Sequence, residues 1–330
     1  MADGGPDGMT VSFFQRRYPS ANSVLLHGPR PVLVDTGFGA DVPELVDWLH
    51  RHGTTPGSLS LVLNTHSHPD HAGGNHALQH GFGRRIAAEA GDAALINGRD
   101  PDACRAQSLR QPVEAYEVTR SLAEGDLVGT GTSLFRVVMT PGHTAGHISL
   151  HSADHGILIL GDALHEADLG WLYPAREGAD ALERAADTIE RLARLPAKIG
   201  YSGHGAPILD LPAALDRARR RLGSWREDPE RMAWHACKRV FSHALMLTDG
   251  LPEADIGPML LDCPWFHDYA AHPFSLSPVD FVPVLVAEML RSGAAAWQAG
   301  RLVATAPHTL LRPGWPETPA SPATWPRLDR

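Results

Sequence analysis

The sequence predicts an α/β fold with a C-terminal helical extension, and three observations lead to this prediction. Short apolar runs, such as 31–34, 59–63 and 156–160, alternate with segments of helical spacing in the first two thirds of the chain. Several of these runs end at glycine-containing turns that carry His or Asp. After about residue 212 the pattern changes to long helices rich in Arg, Ala and Leu.

Four parts are predicted along the chain. We expect residues 1–9 to form a flexible arm and residues 10–215 to form the α/β domain that carries the site. Residues 216–312 are expected to form the helical extension, in which two long helices, shorter helical pieces and a hairpin at 295–303 outline a winged helix. Residues 313–330 are Pro-rich and are expected to be loosely ordered.

Composition and charge limit the classes of function. The 330 residues include 29 Lys and Arg against 38 Asp and Glu, so the net charge of −9 argues against nucleic acid or an anionic membrane as the main partner. The three cysteines are far apart, so neither a disulfide framework nor a thiolate zinc site is expected. No signal peptide or membrane-spanning run is evident. We therefore expect a cytoplasmic protein that acts on a small molecule.

The first candidate site residue, Asp35, follows the buried strand predicted over residues 31–34. A carboxylate at a strand end beside glycine is well placed to contribute to a site. Helices are predicted over 41–50, with Asp41 as N-cap, and over 179–195. Residues 89–115 show no clear pattern, and we expect them to pass over the site.

The densest group of candidate ligands follows the next predicted strand. Four potential metal ligands form the pattern H-x-H-x-D-H: His66, His68, Asp70 and His71. They lie between the apolar run 59–63 and a helix-compatible segment, and a strand–turn–helix arrangement lets several side chains converge on one point. Imidazole nitrogens together with a carboxylate suit zinc or another borderline divalent metal. The cluster therefore predicts a metal site.

Three later turns carry further candidate ligands, His143, Asp162 and His204, each after a predicted strand. Placing ligands at successive strand ends is a common way for a rigid sheet to assemble a site. We expect these three side chains to join the 66–71 cluster.

In this order the candidate residues resemble the five motifs of the metallo-β-lactamase superfamily, over roughly residues 10–215. The resemblance implies a four-layer αβ/βα sandwich, with the site at one edge of its two sheets. It also implies a cofactor of two divalent metal ions, with zinc favoured over iron or manganese.

The resemblance further implies a role for each candidate ligand. The implied sets are His66, His68 and His143 for the first metal, Asp70, His71 and His204 for the second, and Asp162 as the bridge between them. Asp35 would orient a histidine ligand. A metal-bridging hydroxide would attack the substrate carbonyl, and Asp70 would help to handle the proton.

Within the superfamily, the segments 65–75 and 141–147 are most similar to glyoxalase II and its relatives. Glyoxalase II usually has Glu-Tyr after its last ligand histidine, where this chain has Gly205-Ala206, and its basic cluster for glutathione has no counterpart that the sequence identifies. Lactonases share the metal set, and many have a Tyr three residues after the bridging Asp, where this chain has His165. We expect His165 either to donate a proton to the substrate or to be a polar loop residue.

Three further residues lie near these motifs in the sequence. Trp171 and Tyr173 either form a wall of the substrate pocket or pack beneath their loop. His147, four residues after His143, is expected to be structural.

We therefore predict a dinuclear metal-dependent hydrolase of ester-like acyl substrates, with a lactone or thioester favoured. The alternatives are a phosphodiesterase or nuclease, which the acidic composition disfavours, and an iron-dependent redox enzyme, which the intact His68 disfavours. Because acidic residues outnumber basic ones after residue 240, we do not expect the extension to bind DNA. It is expected to pack on the α/β domain, to cover one side of the pocket or to form a homodimer contact.

Overall fold

The structure, a computed structural model, describes residues 10–312, 314–316 and 318–327. The flexible arm predicted at residues 1–9 lies outside the described residues. Among the helices of the described part, none combines the length and the apolar character needed to traverse a lipid bilayer.

A six-stranded sheet begins the α/β part of the chain. Its strands, in both chain and spatial order, are β1 (Val11–Phe14), β2 (Ser23–Leu26), β3 (Val32–Val34), β4 (Leu61–Leu63), β5 (Ile86–Glu89) and β6 (Arg120–Leu122). The β1–β3 pairings are antiparallel and the β3–β6 pairings are parallel. Val34 is paired with Leu63, so the chain leaves β3 and β4 at the same edge of the sheet.

A five-stranded sheet follows. Its strands are β7 (Leu127–Gly129), β8 (Leu134–Met139), β9 (Ile148–Ser152), β10 (Ile157–Gly161) and β11 (Ile199–Ser202), in the spatial order β11-β10-β9-β8-β7. All pairings are antiparallel except that of β10 with β11. This parallel pair brings Gly161 opposite Ser202, so the turns after both strands also share one edge.

Helices cover the outer faces of the two sheets. The first group is α1 (Val42–Arg51), α2 (Pro69–Ala72), α3 (Asn75–Phe82), α4 (Ala90–Gly98) and α5 (Ala106–Leu109). The second group is α6 (Pro174–Glu177), α7 (Ala181–Ala193) and α8 (Leu211–Glu227). The helices predicted over 41–50 and 179–195 are confirmed as α1 and α7. The segment 89–115, which had no clear pattern, contains the helices α4 and α5.

Alternating side chains explain the layering. In β3, Leu33 packs under the helices of the first sheet, whereas Val32 and Val34 face the second sheet. In β10, Ile157 and Ile159 point between the sheets, and the alternate leucines pack under α7 and α8. Three apolar layers therefore separate helices, sheet, sheet and helices, and the four-layer sandwich predicted from the sequence is confirmed.

The C-terminal extension has the element order of a winged helix, as predicted. Its elements are α9 (Pro229–Leu247), β12 (Leu251–Pro252), α10 (Glu253–Leu261), α11 (Pro264–Ala271), α12 (Pro278–Arg291), β13 (Ala295–Gln298) and β14 (Arg301–Ala304). The three strands form a small antiparallel sheet in the order β12-β14-β13. A separate apolar core, which includes Trp265, Phe266 and Phe281, holds these elements together. Helix α11 was not predicted, although Pro264 occupies a position that favours a helix start.

The described residues after 312, where a loosely ordered tail was expected, pack against the rest of the chain through two tryptophans. Trp325 is buried in the core beneath the helices of the first sheet, and its indole Nε1 donates a hydrogen bond to the Val113 carbonyl at 2.8 Å. Trp315 packs against Phe38 with 4.7 Å between ring centroids. The prolines suggested a segment that could not pack, but two tryptophans supply the apolar area that anchors it.

Trp325→Ala is expected to lower the free energy of unfolding by about 3 kcal/mol, because it empties a buried indole site. Urea unfolding measures this change. Trp297→Ala is the control, since this side chain is 42% exposed on the hairpin and its loss should change stability by less than about 0.5 kcal/mol. Equal stability of the Trp325 variant and the unchanged chain would contradict the packed tail.

Candidate metal centre

The 66–71 cluster is buried at the edge of the first sheet. After β4 the chain turns at Asn64, whose side-chain amide donates to the His71 carbonyl at 3.2 Å. Asn75 at the start of α3 in turn donates to the Asn64 side chain at 2.7 Å. Pro69 at the first position of α2 suits a short helix that begins immediately after His68. These contacts hold four candidate ligands on one compact turn.

The second sheet supplies the other three candidate ligands. Asp162 follows β10, His204 follows β11, and His143 lies in the loop between β8 and β9. The Gly203 amide donates to the Gly161 carbonyl at 2.7 Å, which ties the Asp162 and His204 turns together. The two sheets therefore present their ligands at a shared edge.

The structure brings all seven predicted ligands together. Their donor atoms form three groups, each within 4.8 Å: His66, His68 and His143; His66, His71 and Asp162; and Asp70, His71 and His204. Between His68 Nδ1 and His143 Nε2 the distance is 3.1 Å, and between His204 Nε2 and Asp70 Oδ2 it is 3.2 Å. His71 Nε2 lies 3.4 Å from Asp162 Oδ1, which connects the groups.

Unpaired polar atoms at the centre show that the site fits a cation. Among the described residues, His66 Nε2, His71 Nε2 and Asp162 Oδ1 are buried without a hydrogen-bond partner. Leaving such an atom unpaired costs about 1–3 kcal/mol, so native proteins rarely bury several at one point. Two imidazole lone pairs and a carboxylate oxygen around one space are suitable ligands for a divalent metal.

Asp35 orients His71, as the resemblance implied. Its carboxylate Oδ2 accepts hydrogen bonds from His71 Nδ1 at 2.8 Å and from the Thr65 hydroxyl at 2.7 Å. Its Oδ1 accepts from the Thr65 amide at 2.8 Å, so both oxygens are engaged. With Nδ1 of His71 engaged by Asp35, Nε2 is the ring nitrogen that faces the centre, where a bound metal ion would replace its proton. His143 is oriented in the same way by Nδ1 donation to the Trp171 carbonyl at 2.6 Å.

Burial and neighbouring charges set the protonation states. Burial, reinforced by neighbouring imidazoles, holds the pKa of His66 and that of His68 well below the usual value, which keeps both rings neutral for metal binding. Burial raises the pKa of Asp162, but His204 and His71 outweigh this effect and hold it well below its usual range. For His71, burial lowers the pKa, and the carboxylates of Asp162, Asp35 and Asp70 raise it well above the usual value.

Two additional histidines lie close to Asp162. His147 Nε2 accepts a hydrogen bond from the Asp162 amide at 3.0 Å, while its Nδ1 lies 2.8 Å from the Thr140 hydroxyl, and burial lowers its pKa to about 3. This engagement agrees with the structural role expected for His147. His165 Nδ1 lies 2.5 Å from the Ser202 hydroxyl, and its Nε2 lies 4.0 Å from Asp162 Oδ1.

Close approach to Asp162 and the candidate histidine ligands explains two glycines that the sequence did not assign, Gly203 and Gly170. A Cβ at residue 203 would collide with Asp162 Oδ1 and would lie 2.7 Å from the His71 ring. At Gly170 a Cβ would lie 2.8 Å from the His143 ring. Only glycine at these positions allows the second sheet and its loop to close on the ligands.

A cavity of about 350 Å³ opens beside the centre and lies between the α/β domain and the extension. Asp70, Asp162 and His204 reach its floor, and Trp171 and His165 line its side. Trp171 is therefore a wall of the cavity, whereas Tyr173 is buried in the core of the extension and donates to Asp268 at 2.6 Å. The predicted role in the pocket wall therefore applies to Trp171, and the predicted packing role applies to Tyr173.

Among the cavity residues that the sequence did not identify, three lie close to the candidate ligands or to each other: Tyr18, Arg239 and His243. The Tyr18 ring stacks on His204 with 4.8 Å between centroids, and His243 Nε2 lies 3.9 Å from Asp70 Oδ2. Arg239 and His243 belong to α9, so this helix covers one side of the pocket. No motif marks these residues, and only tertiary contacts identify them: the stacking of Tyr18 on His204 and the packing of α9 against the α/β domain.

Comparisons with known proteins agree with this geometry. The Metallo-beta-lactamase superfamily model matches residues 17–204, which are more than half of the chain. A protein named hydroxyacylglutathione hydrolase from Rhodospirillum rubrum is 34% identical over 148 residues, 44% of this chain and 48% of that protein. Its namesake from Chelativorans sp. is 34% identical over 176 residues, 52% of this chain and 58% of that protein. The chain thus spans about half the length of these curated relatives.

A solved structure shows the same fold. It is that of a metallo-beta-lactamase family protein from Thermus thermophilus, with a TM-score of 0.53, 23% identity, and coverage of 89% of this chain and 98% of that chain. At this identity the likeness concerns the fold alone. The family match, the four-layer fold and the ordered ligand residues lead to one conclusion: the chain belongs to the metallo-beta-lactamase superfamily.

Proposed function

We propose that this protein is a dinuclear metal-dependent hydrolase of ester-like acyl substrates, with a thioester favoured and a lactone as the second choice. The observation that carries the proposal is the convergence of seven buried candidate ligand side chains, four of which line a cavity that α9 covers. The relatives named hydroxyacylglutathione hydrolase support the thioester choice.

Two zinc ions are proposed as the cofactor. The first would be held by His66, His68 and His143, the second by Asp70, His71 and His204, with Asp162 shared between them. When bound, such a pair supplies water of lowered pKa and a Lewis acid that polarises the substrate carbonyl. Imidazole and carboxylate donors without a thiolate also accept other divalent metals, and zinc is the choice that suits four-ligand sites of this kind.

The cavity walls supply binding and proton transfer. Trp171, Leu169 and Met246 offer apolar surface for an acyl group, while the Tyr18 hydroxyl and Arg239 offer hydrogen-bond donors. His165 is held at Nδ1 by Ser202, so its Nε2 faces Asp162 and the cavity, where it can donate a hydrogen bond to a leaving group. Asp70 faces the same cavity, and its carboxylate is placed to accept and pass on a proton.

Metal content tests the dinuclear centre. Protein purified without added metal is expected to contain about two zinc ions per chain. Asp162→Ala should lose at least one of them and all hydrolytic activity, because it removes the proposed shared ligand, while the circular dichroism spectrum stays unchanged. Asp154→Ala, in an exposed turn between β9 and β10, is the matched control and should retain metal and activity. Full activity of the Asp162 variant, or one iron per chain with oxygen consumption, would sink the proposal.

Asp35→Asn tests whether ligand orientation matters. The amide has one acceptor oxygen where the carboxylate has two, so it cannot accept all three hydrogen bonds from His71 and Thr65, and zinc affinity is expected to fall by roughly 10–100-fold. Competition with a chromophoric chelator measures the affinity. Asp47→Asn, on the exposed face of α1, serves as the control. Unchanged affinity of the Asp35 variant would show that this hydrogen bond does not position a ligand.

A parallel substrate screen tests the reaction class. Zinc-loaded protein is assayed against thioesters, lactones, phosphodiesters and β-lactams under identical conditions. We expect hydrolysis of thioesters or lactones, because the cavity combines apolar surface with a few polar groups. Hydrolysis of phosphodiesters alone would assign the protein to the phosphodiesterase alternative.

A further inference from the structure

A second depression, of about 610 Å³, lies next to the cavity between α8, α9 and α12. We call it the basic cleft, after its six basic side chains: Arg217, Arg220, Arg221, Arg231, Lys238 and Arg291. Glu288 is the acidic residue among its lining side chains. Such a concentration of positive charge is unexpected in a chain whose net charge is −9.

The arginines of α8 lie on two faces of the helix, and those on the face that lines the cleft differ in their partners from those on the other face. Arg217, Arg220 and Arg221 share one face of the helix, and this face lines the cleft. On the other face, Arg219 pairs with Glu190 at 2.7 Å and Arg226 pairs with Glu183. Arg217 instead donates to the Glu166 carbonyl at 2.9 Å, and among the described residues neither Arg217 nor Arg220 has an ion-pair partner.

Carboxylates neutralise only part of this charge. Glu288 accepts from Lys238 at 3.1 Å and from Arg291 at 2.7 Å. Asp168 pairs with Arg221 at 2.9 Å, and Asp228 pairs with Arg231 at 3.1 Å. Three carboxylates pair with these six basic groups, and Asp168 is shared with Arg239, so the excess is at least 6 − 3 = 3 positive charges. An excess of this size suits a multiply charged anion such as phosphate better than a single carboxylate.

The basic cleft is continuous with the cavity over the metal centre. His235 and Lys238 on α9 line both the cleft and the cavity. The His235 ring is largely buried, with Nε2 at 3.1 Å from Asp168 and with Nδ1 unpaired among the described residues. One molecule can therefore occupy both spaces, with its reacting end over the metal ligands and a charged end among the arginines.

We propose that the basic cleft binds the phosphate groups of a phosphorylated thiol, and that the substrate is an acyl thioester of that thiol. This inference rests on the proposed thioesterase activity and specifies its substrate class. Hydrolysis adds water across the C–S bond, so that the acyl carbon leaves as a carboxylic acid and the sulfur leaves as the phosphorylated thiol. A long nucleic acid fits less well, because α12, the counterpart of a recognition helix, carries Asp280 and Glu288.

Kinetics with one acyl group on different thiols tests the inference. The probes are acetyl-coenzyme A, acetyl-pantetheine, which lacks phosphate, and acetyl-glutathione. We expect kcat/KM for acetyl-coenzyme A to exceed that for acetyl-pantetheine by about tenfold or more, the effect of one hydrogen bond to a charged group. The preference should disappear at high salt, since exposed charges are screened.

A pair of matched double variants locates the effect. Arg217→Ala/Arg220→Ala removes cleft charges that have no ion-pair partner among the described residues, and it should raise KM for acetyl-coenzyme A without changing the kinetics of acetyl-pantetheine. Arg219→Ala/Arg226→Ala removes two arginines from the opposite face of the same helix and should leave both substrates unaffected. Circular dichroism and zinc content verify that both variants fold. An equal effect of the two double variants would overturn the assignment to the cleft.

Calorimetry with adenosine 3′,5′-bisphosphate tests the phosphate site in the basic cleft independently of the proposed hydrolytic activity. The zinc-loaded protein should bind this probe, and the cleft variant should not. Binding without hydrolysis of any thioester would keep the phosphate site and refute the proposed activity. Equal hydrolysis of all three thioesters without binding would refute the phosphate site and keep the activity. Tighter binding of single-stranded RNA than of the bisphosphate would overturn the small-molecule assignment.

Discussion

The burial of seven imidazole and carboxylate side chains at one point is the constraint on which this structure depends. Burying such groups is unfavourable unless each has a partner, because they lose their contacts with water. Asp35 and the Trp171 carbonyl accept hydrogen bonds from Nδ1 of His71 and of His143, on the ring edges that face away from the centre. His66, His71 and Asp162 retain unpaired atoms that face the centre. A divalent cation would compensate the remaining atoms together, and its binding would then couple the ligand chemistry to protein stability.

The sandwich satisfies this constraint with strands that end at one edge. Parallel pairing of β3 with β4 brings Asp35 beside the 66–71 turn, and parallel pairing of β10 with β11 brings Asp162 beside His204. Gly203 removes the Cβ that would otherwise collide with Asp162. The extension then adds α9, which closes the cavity and carries His235 and Lys238 between that cavity and the basic cleft. The α/β domain thus supplies the candidate ligands, and the extension shapes the space in front of them.

Much of this arrangement follows from the sequence because it depends on local pattern. Apolar runs of three to five residues that end at glycine turns determine where the strands of both sheets end. The spacing H-x-H-x-D-H and the later His143, Asp162 and His204 identify the candidate ligands that the structure brings together, since side chains on one turn and at successive strand ends converge in such a fold. The winged-helix order was also predictable, because helices and a hairpin have distinct periodicities.

Tertiary structure alone decided the surroundings of the site, since these contacts join residues that are distant in sequence. Tyr18 stacks on His204, His243 approaches Asp70, and the tail anchors itself through Trp325, and no local motif encodes any of these contacts. The arginines of α8 appear in the sequence as a helix of ordinary solvated charge. Once the chain has folded, the two faces of α8 meet different environments. Arg217 and Arg220 line the cleft beside α9 and α12, whereas Arg219 and Arg226 form ion pairs on the opposite face.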